Sequence, residues 1–139
     1  MIPRRKQEER MKEAYPIVLT QERDCVLVYV PDFDINTEGK DFADAIFMAR
    51  DAICMTGLCY EDSGRKLPAA SSVRKIAAEH PEGTVSLVDT DFTEYRKAND
   101  RRSVRRNVSL PYWLNYKADK AGINVSAVLQ KALKAELNI

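Results

Sequence analysis

Hydrophobic and polar positions recur at two different periods along this chain, and the switches between them mark out its elements. Tyr15-Pro16-Ile17-Val18-Leu19-Thr20 and Cys25-Val26-Leu27-Val28-Tyr29-Val30 are short runs rich in β-branched and aromatic residues, separated by polar residues 21–24. That pattern predicts two strands joined by a turn, with Pro31 ending the second. Pro31-Asp32-Phe33-Asp34 reads as a second turn, and Ile35-Asn36-Thr37-Glu38 as a short third strand before Gly39. From Asp41 the period lengthens. Phe42, Ala45, Ile46, Ala49, Ala52 and Ile53 recur at three- and four-residue spacing, which predicts a helix with one apolar stripe, ending between Gly57 and Tyr60. Ser71 or Ser72 can cap a short helix reaching about Glu79. Pro81-Glu82-Gly83 then breaks the chain, and residues 84–88 form a fourth strand. The order strand, strand, strand, helix, strand predicts an α+β layer with the helix on one sheet face. Residues 92–103, rich in Arg, Lys, Asp and Asn, read as a linker with at most a helical turn.

The last third changes pattern again. In Arg105-Arg106-Asn107-Val108-Ser109-Leu110-Pro111 the side chains alternate with period two, so Val108 and Leu110 share one side while Arg105, Asn107 and Ser109 share the other. A strand this short does not stand alone in water, which implies a partner strand from a second chain. Arg and Asn are side chains that read guanine and adenine edges in a major groove, which makes Arg105, Asn107 and Ser109 the candidate base contacts. After Pro111, which suits a first helical turn, Leu114, Ala118 and Ala121 form an apolar stripe flanked by Trp113, and Gly122 closes the helix. Asn124 stands where an N-cap belongs, ahead of an amphipathic run through Val128, Leu129, Ala132, Leu133 and Leu137. The helix start at Asn124, Val125 and Ser126 is a candidate phosphate contact. Strand, helix, glycine and helix within about 35 residues match the ribbon-helix-helix module, in which two chains pair their strands in the major groove. Val108, Leu110, Leu114, Val128 and Leu129 would then form the dimer core. A one-residue slip would turn Arg105, Asn107 and Ser109 inward. A plain helical hairpin serving as a dimerisation tail is the simpler alternative.

Charge sharpens this division. The 139 residues carry a net charge of only +1, but residues 1–12 hold five Lys/Arg against two Glu, residues 13–100 nine against seventeen acids, and residues 101–139 eight against two. A basic tail on an acidic body fits a tail that approaches phosphates and a body that does not. Cys25, Cys54 and Cys59 are odd in number with no C-x-x-C spacing, which argues against a disulfide framework or zinc site and favours a reducing cytoplasm. No apolar run is long enough to span a membrane, and residues 1–12 lack the apolar centre of a signal peptide. Met11 could serve as a second start, with the stretch before it a leader.

Taken together, the two halves resemble the HicB antitoxin family. The C-terminal resemblance runs from Asn107-Val108-Ser109-Leu110-Pro111 through Trp113-Leu114, Ala118-Asp119 and Ala121-Gly122-Ile123-Asn124 to Ser126 and Val128-Leu129. The N-terminal one lies in Tyr15-Pro16-Ile17-Val18, Val28-Tyr29-Val30-Pro31-Asp32, Thr37-Glu38-Gly39 and Ala43-Asp44-Ala45. The resemblance implies a partial RNase H-like domain over residues 13–91 that binds and neutralises a HicA-type toxin, a small basic RNase. After the linker over 92–103, it implies a ribbon-helix-helix domain over 104–139 that dimerises and represses its own operon at operator DNA. Pairing of two such dimers into a higher oligomer is open. Phe33-Asp34-Ile35 departs from the Leu-Pro-Gly-Cys turn of many relatives, and residues 61–83 exceed the minimal family domain without an evident role.

Catalysis is not expected. Two-metal hydrolysis needs converging carboxylates, and the first strand carries none over residues 15–20, so Asp44, Asp51, Asp89 and Asp91 read as surface charges. His80 is the single histidine and no glycine-rich phosphate loop occurs. No cofactor or metal is implied. The competing readings are a stand-alone ribbon-helix-helix regulator whose N-terminal domain senses a small ligand, and a metal-dependent nuclease.

Overall fold

The computed structural model describes residues 12–139. The basic leader and the second start at Met11 lie outside the described residues. The chain parts into two compact units between Arg101 and Arg102.

The N-terminal unit, hereafter the body, is an α+β layer. Strands β1 (Lys12–Gln21), β2 (Val26–Val30), β3 (Ile35–Gly39) and β4 (Thr84–Asp91) form one sheet in the order β3-β2-β1-β4. Every neighbouring pair is antiparallel. Period two places Tyr15, Ile17 and Leu19 on one face with Val26, Val28, Val30 and Val88. Helix α1 (Phe42–Asp62) lays Ala45, Ala49, Ile53 and Cys54 across that face. Its start is fixed by Asp41, whose carboxylate accepts the Asp44 amide, while the Asp44 carboxylate accepts the Lys40 amide. The first bond satisfies one of the amides that a helix start leaves open, and the second ties down the residue before the cap.

The stretch 61–83, without an assigned role in the sequence, links the two faces of the sheet. The Tyr15 hydroxyl donates to the Pro68 carbonyl at 2.9 Å, and the Ser71 amide and hydroxyl both donate to the Asp32 carboxylate. Ser72 then caps helix α2 (Val73–Glu79). Ile76 on this helix is buried, as is Val18, which points away from the α1 side. The His80 ring lies tilted against Tyr29, with centroids 5.6 Å apart.

The turn before β3 contributes to the core. Phe33 is buried, with its ring edge-on to Tyr15 at 4.9 Å and tilted against Tyr60 at 5.7 Å. Asp34 takes a left-handed backbone, φ +50, which Asp and Asn tolerate better than most residues. The Tyr29 hydroxyl donates to its carboxylate at 3.0 Å. A turn that departs from the usual glycine-containing one is therefore made with an aspartate.

The elements differ from the sequence expectation in three places. β1 and β4 run three residues further together, pairing Lys12 with Asp91, Glu13 with Thr90 and Ala14 with Asp89. These rungs are largely polar and show no hydrophobic alternation. The linker expected over 92–103 begins instead as helix α3 (Phe92–Asn99), capped by Asp91 and anchored by buried Phe92. A Cβ on Gly57 of α1 would run into the Phe92 ring, so the glycine makes room for that anchor. Finally, residues 105–110 form no strand in the single chain. A strand is defined by its pairing, and among the described residues no strand pairs with this segment.

The C-terminal unit holds α4 (Tyr112–Lys120) and α5 (Val125–Leu137). Gly122, at φ +64, ends α4. Its amide reaches the Asp119 carbonyl and the Ile123 amide reaches the Ala118 carbonyl, each at 3.1 Å, the paired bonds of a Schellman ending. Asn124 then caps α5, its side chain accepting the Ala127 amide at 3.1 Å. Strand apart, the helix boundaries follow the sequence expectation closely.

Candidate functional sites

The C-terminal unit carries the residues expected to bind DNA and to form the dimer core. Arg105, Asn107 and Ser109 lie in the unpaired segment before α4 and are exposed. Val108 and Leu110, expected to be inward, are bare as well, at 51% and 41% of their full exposure. Leu114 and Val128 are also exposed, and Leu129 is partly buried. Among residues 102–139 none is buried, although the unit contains Trp113, Ile123, Leu133 and Leu137 besides those named. Asn124, Val125 and Ser126 do come together, as the cap and first turn of α5. The cap takes the third amide of that turn, that of Ala127, and not those of Val125 and Ser126. Lys117 and Lys120 cluster in the last turn of α4.

On the body, the acids considered for catalysis each have a structural partner. Asp44 belongs to the α1 start. Asp51 accepts the Tyr95 hydroxyl at 3.0 Å. Asp89 pairs with Arg50 at 2.8 Å, and that guanidinium holds its carboxyl below the usual carboxylate range. Asp91 caps α3 and faces Lys12 at 3.9 Å. Among the described residues no three His, Cys, Asp or Glu side chains converge as metal ligands would.

One surface feature of the body has no counterpart in the sequence expectation. Helices α1 and α3 flank an open groove of about 400 Å³ whose walls are mostly apolar. Phe47, Arg50, Asp51 and Cys54 line it from α1 at i, i+3, i+4 and i+7, one face of a helix. Glu94, Tyr95 and Ala98 line it from α3. The Tyr95–Asp51 hydrogen bond ties the helices together here, and Arg96 reaches Glu61 at 3.2 Å and Asp62 at 3.0 Å further along. Burial pushes the Cys54 thiol up to about 11, so it acts as a small hydrophobe in the groove wall. The sequence held one signal for this groove: Phe47 falls outside the apolar stripe of α1.

The architecture thus defines a two-part protein, an acidic α+β body followed by a basic helical unit that has no buried core of its own. Residues 15–132 match the model of the HicB-like antitoxins of bacterial toxin–antitoxin systems, and the chain belongs to that family. In this family the proteins are regulatory and not enzymes. Among solved structures, a toxin–antitoxin complex from Streptococcus pneumoniae is similar at TM-score 0.58 and 19% identity, covering 91% of this chain and 99% of that one. The HicB antitoxin of Burkholderia pseudomallei is similar at TM-score 0.51 and 25% identity, covering 90% and 96%. No curated protein matches the chain in sequence. Among the described residues no helix is long and apolar enough to cross a membrane.

Proposed function

We propose that the chain is an antitoxin that binds and neutralises a HicA-type mRNA-cleaving toxin through its body and represses its own operon through its C-terminal unit. The observation that carries this reading is the division of the molecule. The acidic body buries its own core, while the basic unit leaves its apolar residues bare. An acidic surface steers and holds a basic, RNA-binding partner. A 38-residue unit that buries nothing alone needs a second copy to gain a core. Pairing residues 105–110 between two chains would cover Val108 and Leu110 and join them to Leu114, Val128 and Leu129. It would leave Arg105, Asn107 and Ser109 outward for base edges, with the α5 starts at Asn124, Val125 and Ser126 on flanking phosphates. This is a ribbon-helix-helix dimer, open to further pairing. The three antiparallel strands, helix and fourth strand of the body support a partial RNase H-like description. The three free cysteines fit a reducing cytoplasm.

The test is to mix the full chain with the HicA-type toxin encoded beside its gene and follow RNA cleavage. Cleavage should cease at stoichiometric antitoxin; undiminished cleavage at excess antitoxin overturns the reading. A protein that binds the operator and responds to a metabolite, with no such neighbour, would instead be a stand-alone regulator.

A further inference from the structure

We propose that the groove between α1 and α3 is the docking site on the body for a basic protein segment that carries one or two large apolar side chains. This rests on the antitoxin reading, and the segment is assigned to the toxin.

Phe47 marks the place. It is 61% exposed, the most exposed large hydrophobic among the described residues of the body, ahead of Met55 at 54% and Phe42 at 45% on the same helix, and of these three it alone lines the groove. An exposed aromatic beside a concave apolar wall is the usual anchor point of an interface. The wall opposite is Tyr95 and Ala98, held at a fixed distance by the Tyr95–Asp51 hydrogen bond, so the trough is built before a partner arrives. Its open side suits a protein segment better than a small molecule, which pockets enclose on most of its surface.

Charge selects the partner. Asp51, Asp91 and Glu94 stand around the apolar strip; Asp51 accepts the Tyr95 hydroxyl, Asp91 and Glu94 each face a lysine, and the guanidinium of Arg50 is paired with Asp89. Lys12 and Lys97 lie near Asp91 and Glu94, yet the body as a whole remains strongly acidic over residues 13–100. An apolar trough with such a rim favours an apolar side chain flanked by Lys or Arg and disfavours an acidic or nucleic-acid partner. A second copy of the body would bring the same acids against each other.

The experiment is a titration of the full chain with a catalytically inactivated HicA-type toxin. Phe47→Glu and Ala98→Arg should each weaken binding by about tenfold or more, as loss of an interface anchor does. Leu87→Glu changes a residue of similar exposure (54%) on β4, outside the groove, and should leave binding within about twofold. All three positions are exposed, and unchanged thermal melting of the body checks that the variants fold. Toxin binding that survives both groove substitutions, or that is lost at Leu87 instead, overturns the groove and leaves the antitoxin reading standing. So does a groove substitution that abolishes self-association of the chain while sparing the toxin. Absence of binding by the unmodified chain overturns the antitoxin reading itself.

Discussion

Two stretches of this chain use their apolar residues in opposite ways. In the body, Tyr15, Ile17, Val26, Val28, Ile53 and Phe92 are almost wholly buried between the sheet and its helices. In the C-terminal unit, Val108, Leu110, Trp113, Val128 and Leu137 stay open to solvent, although a Schellman ending closes α4 and Asn124 caps the start of α5. Local caps are therefore made in both units, and only one has a core. Helices of nine and thirteen residues are marginal in water on propensity alone. In the proposed dimer, the second unit would be specified by its own sequence but stabilised by assembly.

That contrast can be broken most strongly at Leu110. Leu110→Asp would place a charge in the shared core of the proposed dimer and cost about 3 kcal/mol or more. Sedimentation should show dimers dissociating while the body melts as before; an unaltered dimer would remove Leu110 from the core. The reverse change is Ile53→Ala, which empties a fully buried site under α1. It should cost the body about 2–5 kcal/mol, read from denaturant melts, and leave self-association intact. At the operator, Arg105→Ala and Asn107→Ala should each cost about 1–3 kcal/mol without affecting toxin neutralisation. Unchanged operator affinity in both variants would refute the outward face assigned to the ribbon. An effect of similar size is expected at Gly57. Gly57→Ala pushes a methyl into the Phe92 ring and should cost about 1–3 kcal/mol. A neutral melt there would mean that α3 is not fixed to the body.

Where the sequence was legible, one period dominated. The stripe Ala45, Ala49 and Ile53 announces α1, and Gly122 followed by Asn124 marks both ends of the C-terminal helix junction. The core strands show through Val26, Val28 and Val30. The illegible parts have polar composition and depend on neighbours distant in the chain. Phe92-Thr93-Glu94-Tyr95-Arg96-Lys97-Ala98-Asn99 offers only Phe92 and Tyr95 as an apolar pair, so it resembles a linker until Gly57 and Asp51 meet it. The outer rungs from Lys12 to Ala14 are held by the opposing strand end at 89–91. The groove was hidden for the same reason, since half of it belongs to a helix that composition does not announce. Residues 105–110 present the converse case: their alternation predicts a strand, and among the described residues none pairs with it.

In the proposed assembly the body folds by itself and the C-terminal unit only with a second copy. Amide hydrogen exchange of the full chain across a wide dilution series tests this directly. Protection of the amides in β1, β2 and α1 should be independent of concentration, while that of α4 and α5 should fall as the chain is diluted. Protection of both units that is unchanged on dilution would contradict the account.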